Sequence, residues 1–246
     1  MKDNIESSAA INRKIILELR LSPQAKILDK RGTIADLIEE KRIFKPSTVW
    51  QIGSNNLVQF RDNNDADNAH FLAAVEYNKI SFVCVKVDSV DSYFNQFSRF
   101  YNALKEIIPS WTLIRIGCRI IGAYKMGMES YSSILKAMKS VFPNKFFMEA
   151  FNAHNMLFKV EYQSGMYQFA PLKDDDSFFE REFPKGVRNP KAGMMIDTDN
   201  YLIESSDATP LDSLDRIKSV FHASLAVEKA LYENLLLLGN GALEKE

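Results

Sequence analysis

The chain is short of cysteine, of net charge and of long apolar runs, and each shortage closes off a class of protein. Two cysteines in 246 residues, Cys84 and Cys118, do not make a disulfide scaffold, and neither has a Cys or His at metal-ligand spacing. Both sit in apolar, strand-like runs, ISFVCVKV and LIRIGCRII, where cysteine behaves as a small buried hydrophobe. The 31 basic and 32 acidic residues leave a net charge of −1. Without a basic surplus to grip phosphates, nucleic-acid binding is the least favoured class. No run reaches the roughly 18 apolar residues of a membrane span. The opening MKDNIESSAAINRK carries no apolar stretch of the kind that starts a secretory signal. A cytoplasmic protein that does not engage membranes is expected.

Catalytic signatures are missing as well. The three histidines, His70, His154 and His222, show no HxH or HxxxH spacing for zinc. No G-x-S-x-G elbow is present, and no Gly-rich loop carrying a lysine follows a strand to cradle phosphates.

What is present is strong periodicity. In RKIILELRLS, over 13–22, Ile15, Leu17, Leu19 and Leu21 alternate with Ile16, Glu18, Arg20 and Ser22, which predicts a strand with one buried face. TIADLIEEKR, 33–42, reads as a short helix capped by Thr33. Residues 55–62, 68–77 and 80–87 read as strands, the last two joined by a tight turn at Asn78-Lys79. Over 88–109 the apolar residues from Val90 to Ile107 keep helical spacing, and Pro109 ends the helix. A second series follows: a strand over 111–124, a helix over 129–142, a hairpin over 155–172, a strand over 193–202 and a long helix over 209–238. That last helix opens on Thr209, Pro210 and Asp212.

The expectation is an α+β fold, a mostly antiparallel sheet with long helices on one face. It divides into halves 1–109 and 110–246 within one compact domain, related by a pseudo-twofold duplication of a strand–helix–strands–helix unit. The polar stretch 173–193 reads as a mobile loop. Its Phe178, Phe179 and Phe183 are candidates for a partner-binding surface, weighed against a plain solvated linker.

Taken together, RIGCRIIGAYKM, GMMIDTDNYL and the closing LDRIKSVFHASLAVEKALYENL resemble a sporadically distributed family of prokaryotic proteins of similar length with no established activity. The resemblance implies an accessory role of the defence or toxin–antitoxin kind. Where such members carry an aromatic residue and an asparagine, this chain has Ile120, Ile121 and Gly122, which tells against a shared polar site there.

Three sets of residues could carry chemistry. Asp197 and Asp199, two apart on a strand, share a face and could hold Mg²⁺ or Mn²⁺, with Glu18, Glu76 or Glu161 as a third carboxylate. The bland reading is a polar strand face. Arg20, Arg115 and Arg119 could clamp a phosphate or carboxylate, or simply pair with Glu18, Asp197 or Glu161. The four leucines of LYENLLLLGNG cover more than one helical face, so a homodimer through the C-terminal helix is an expectation, against a helix buried on the sheet. The leading expectation is a non-enzymatic protein that binds a partner or a small ligand and needs no cofactor. A divalent-metal-dependent phosphoryl-transfer enzyme built on Asp197 and Asp199 is the alternative, and a nucleic-acid-binding saddle the second.

Overall fold

A computed structural model describes residues 10–52, 58–85, 87, 89–128, 130–141, 157–162, 165–172, 177–185, 187, 192–203 and 213–243. Among them nine strands form one sheet in the order β2-β3-β4-β5-β1-β6-β9-β8-β7. The strands are β1 (Ala10–Leu21), β2 (Val49–Ile52), β3 (Val58–Arg61), β4 (Phe71–Glu76), β5 (Lys79–Val85), β6 (Leu113–Tyr124), β7 (Phe158–Tyr162), β8 (Gly165–Leu172) and β9 (Gly193–Ile203). Every pairing with a described register is antiparallel. The helices are α1 (Ala25–Asp29), α2 (Arg31–Glu40), α3 (Val90–Ile107), α4 (Tyr131–Val141), α5 (Ser177–Glu182) and α6 (Ser213–Leu243). The fold is α+β, as expected. After β1 the chain travels to the edge strand β2 and returns inward through β3, β4 and β5. After β6 it travels to β7 and returns through β8 and β9.

The chain divides into two compact units, each discontinuous in sequence. One comprises Met1–Arg13, Ile120–Asp199 and Ala223–Glu246; the other comprises Lys14–Arg119 and Asn200–His222.

The second unit is built on aromatic packing. The apolar face of β1, Ile15 to Leu21, is buried as its alternation requires. Helix α3 starts at Ser89, whose side chain accepts from the Ser92 N–H, and it buries Tyr93, Phe94, Phe97, Phe100 and Tyr101 along one stripe. Phe82 of β5 meets Tyr93, Phe97 and Phe100 with ring centroids 5.2–6.0 Å apart. The Tyr93 hydroxyl donates to the Phe82 carbonyl at 2.9 Å, so the buried phenol is satisfied.

Two local expectations fail here. Thr33 does not cap α2. The helix begins at Arg31, because Ile34 N–H bonds to the Lys30 carbonyl and the chain passes from α1 to α2 with one residue between. The β4–β5 turn is Tyr77-Asn78, one residue earlier than Asn78-Lys79. Lys79 pairs with Glu76 inside the ladder, and the Tyr77 and Asn78 carbonyls accept from Gln24 and Leu21 N–H groups. Strand β2 was not foreseen at all.

In the first unit, Tyr124, Met126, Ile134, Met138, Met194, Ile196 and Leu235 form one buried cluster, drawing on β6, α4, β9 and α6. The stretch 173–193, expected as a mobile loop, contains α5. Phe179 and Phe183 are four apart, so they share a helix face. They are buried and stack on each other at 4.5 Å, and are not the exposed aromatics expected. The Phe178 side chain lies outside the described residues, as do Thr209, Pro210, Asp212 and His154.

Candidate functional site

Two arrangements stand out, one buried and one open. The buried one lies in the first unit. Arg13, Tyr124 and Glu228 each occupy a position that periodicity assigns to the core. Arg13 continues the Ile15–Leu21 face of β1, and Tyr124 lies on the Ile120 face of β6. Glu228 falls on the α6 stripe of Phe221, Ser224, Leu225 and Leu235. Arg13 Nε donates to Glu228 Oε1 at 2.8 Å, and its Nη2 donates to Oε2, a bidentate pair. The Tyr124 hydroxyl donates to the same Oε1. Burial, then the Glu228 charge, pushes the Tyr124 hydroxyl well above its ordinary pKa, so it stays a proton donor.

Gly122 makes room for this arrangement. A Cβ there would fall within the hydroxyl and ring of Tyr124, which folds back over the glycine. Glu228 is 0% exposed and both its oxygens are engaged, so it is in no position to act as a general base. The three residues act as a structural lock on α6.

The open arrangement is a cleft of about 780 Å³ in the second unit. Ala35, Ile38 and Glu39 of α2 form one wall, and Val49 and Trp50 of β2 form another. Phe60 of β3 and Phe44 supply the aromatic lining. Phe44 is fixed by Phe60, Phe71 and Phe100, with centroids 4.8–5.4 Å away, so that lining is rigid. Trp50 is 43% exposed.

The turn 42–48 adds Arg42, Lys45 and Thr48 to the lining. Its entry is a Schellman closure of α2. Ile43 N–H bonds to the Ile38 carbonyl and Arg42 N–H to the Glu39 carbonyl. The residue in the left-handed position is Arg42, with φ 48°, where glycine is usual. Arg99 of α3 supports the turn by donating to the Lys41 and Arg42 carbonyls at 3.3 and 3.0 Å. Among the described residues neither Arg42 nor Lys45 forms an ion pair.

A second cleft, of about 520 Å³, lies across Phe44, Lys45 and Thr48 from the first. It is lined in part by Asp62, His70 and Cys84, but these are not wired as a nucleophile, base and orienter. Asp62 Oδ1 accepts from the backbone N–H groups of His70 and Phe71, and the Cys84 thiol lies 3.6 Å from the Val85 carbonyl.

Of the arginines singled out in the sequence, Arg20 and Arg115 line one shallow pocket of about 400 Å³, and Arg119 does not line it. Arg20 is paired with Glu18 at 2.7 Å on its own strand. Arg115 lies 4.6 Å over the ring of Tyr201. Asp197 and Asp199 do share one face of β9, opposite Met194 and Ile196. Asp197 is 2% exposed, Asp199 is half-buried, and neither is without a partner. The carboxylates considered as a third ligand have basic neighbours: Glu18 has Arg20, Glu76 has Lys79, and Glu161 has Lys159. Among the described residues no group of three or more His, Cys, Asp or Glu side chains is placed to hold a metal ion. In the leucine run of α6, Leu235 is buried and Leu237 is 67% exposed.

Comparison with known proteins finds no family model, no curated protein and no solved structure that matches the chain.

The cleft was not legible in the sequence. Its residues come from α2, the turn after it and two short strands, and no single segment carries the pattern. The only local trace is an arginine at a helix end where glycine is favoured.

Proposed function

We propose that the protein is a non-enzymatic binder of a small molecule, held in the Trp50 cleft. The observation that carries this reading is the combination of an open concave site, an exposed indole and two cations with no ion pair among the described residues, beside a close-packed aromatic lining. Most small-molecule sites have this make-up, an apolar cleft with a few convergent polar groups. The lining offers one hydroxyl, Thr48, and one carboxylate, Glu39, with no histidine or cysteine among the described residues, which favours binding over turnover.

The test is a small-molecule screen by thermal melting on wild type and Trp50→Ala, because a ligand selective for the native state raises the melting temperature by mass action. Hits that shift wild type and not Trp50→Ala are expected. In a Trp111→Phe background Trp50 is the sole tryptophan, and the same hits should change its emission. Hits that shift both proteins equally, or no hits at all, would refute the cleft as the binding site.

A further inference from the structure

We infer that the cleft takes a planar aromatic ring bearing a phosphate or carboxylate, with the ring against Trp50 and the anion at Arg42 and Lys45; this rests on the cleft being a ligand site. Three observations select this class.

The first is the exposed indole of Trp50 in a cleft with an aromatic lining. Flat rings stack on such a surface with little dependence on their identity. The second is charge. Two cations face one carboxylate, Glu39, and the cations are not committed to partners among the described residues. By contrast, Lys41, at the end of α2 just before the turn, is paired with Glu106, and Arg20 and Arg115 are engaged elsewhere.

The third is the backbone of Arg42. A helix C-terminus favours nearby cations whatever they bind, so the charge alone does not decide. A left-handed residue at that position is a different matter, since glycine adopts it without steric cost and arginine does not. The chain keeps an arginine where the backbone favours glycine, and that arginine lines the cleft. Sparsely populated backbone conformations of this kind gather at ligand clamps. A guanidinium and an ammonium on residues of the same cleft can bind phosphate or carboxylate oxygens through charge-assisted hydrogen bonds.

The experiment is calorimetric titration of the full chain with four probes: adenosine monophosphate, adenosine, naphthalene-2-carboxylate and naphthalene-2-methanol. Wild type, Arg42→Gly and Trp50→Ala are compared, with melting temperatures recorded for each. At least one anionic probe should bind at least about tenfold more tightly than its neutral counterpart, with an affinity that falls as salt is added. The tighter anion then identifies phosphate or carboxylate as the natural group. Arg42→Gly should lose about tenfold of that affinity while melting at or above the wild-type temperature, so a folding defect is not the cause. Equal binding of neutral and anionic probes, abolished by Trp50→Ala and indifferent to Arg42→Gly, would overturn the anion and leave the cleft a ligand site. If none of the four binds, the ligand class is overturned. The Trp50-dependent hits of the melting screen then decide whether the cleft itself survives.

Discussion

Replacing Glu228 with glutamine tests the buried lock most directly. The change keeps the size of the side chain and removes its charge, so packing is preserved while the buried Arg13 loses the charge of its Glu228 partner. It also turns an acceptor-only group into one with an NH₂, which in either orientation faces the donor-only guanidinium of Arg13. Breaking a buried ion pair from one side costs about 3–5 kcal/mol, because the remaining charge stays desolvated. For a chain of this length each kcal/mol moves the melting temperature by roughly 2–4 °C, so a fall of about 6–20 °C is expected.

Tyr124→Phe removes one hydrogen bond to a charged acceptor and should cost about 1.5–3 kcal/mol. The double variant Arg13→Met/Glu228→Leu replaces both charges with apolar groups of similar size and should fall within about 1–2 kcal/mol of wild type, far less than the single changes combined. Urea unfolding followed by circular dichroism, with m-values compared across the set, reads these differences. A Glu228→Gln cost below about 1 kcal/mol would mean that water reaches the pair, and a double variant as unstable as the sum of its parts would refute the desolvation account.

Alkaline unfolding offers a second check. Burial raises the hydroxyls of Tyr93 and Tyr124 well above the ordinary tyrosine value, so the native state holds protons that the unfolded chain releases. Their contribution is complete below about pH 10 and is lost as pH climbs from there, at about 1.4 kcal/mol per pH unit for each tyrosine. Stability measured against pH should steepen above that point and less so in Tyr93→Phe; a flat profile up to roughly pH 12 would contradict it. Arg42→Gly should stabilise the protein by about 0.5–1 kcal/mol, the relief at a left-handed residue less the entropy glycine loses on folding, and a destabilised variant in urea would show the turn to be held by the side chain instead. Mg²⁺ and Mn²⁺ should leave the melting temperature unchanged, because Asp197 is buried and engaged; a rise in wild type that is absent in Asp197→Asn/Asp199→Asn would restore the metal reading.

Long periodic elements were legible in the sequence. Alternation in β1 and the aromatic stripe of α3 each report which side of one element leaves water, and that is a local property. Short elements were not. Strand β2 has four residues and no alternating burial, since three of the four are exposed. Helix α5 lay inside a stretch whose charges masked the Phe179–Phe183 spacing.

The buried lock was half legible. Arg13 breaks the apolar face of β1 and Glu228 breaks the stripe of α6, and two opposite charges on core faces call for each other. Periodicity places each residue toward the core but says nothing of which remote segment it meets, and these two are 215 positions apart. That choice belongs to the tertiary structure. Which charges find partners among the described residues depends on how the elements close around one another, as Lys41 held by Glu106 and Arg42 lining the Trp50 cleft illustrate. The sequence determined the faces, because burial of an apolar stripe follows from the spacing of neighbouring residues. The tertiary structure alone decided the pairings and the cleft, because both are made by groups that only the folded chain brings within a few ångströms.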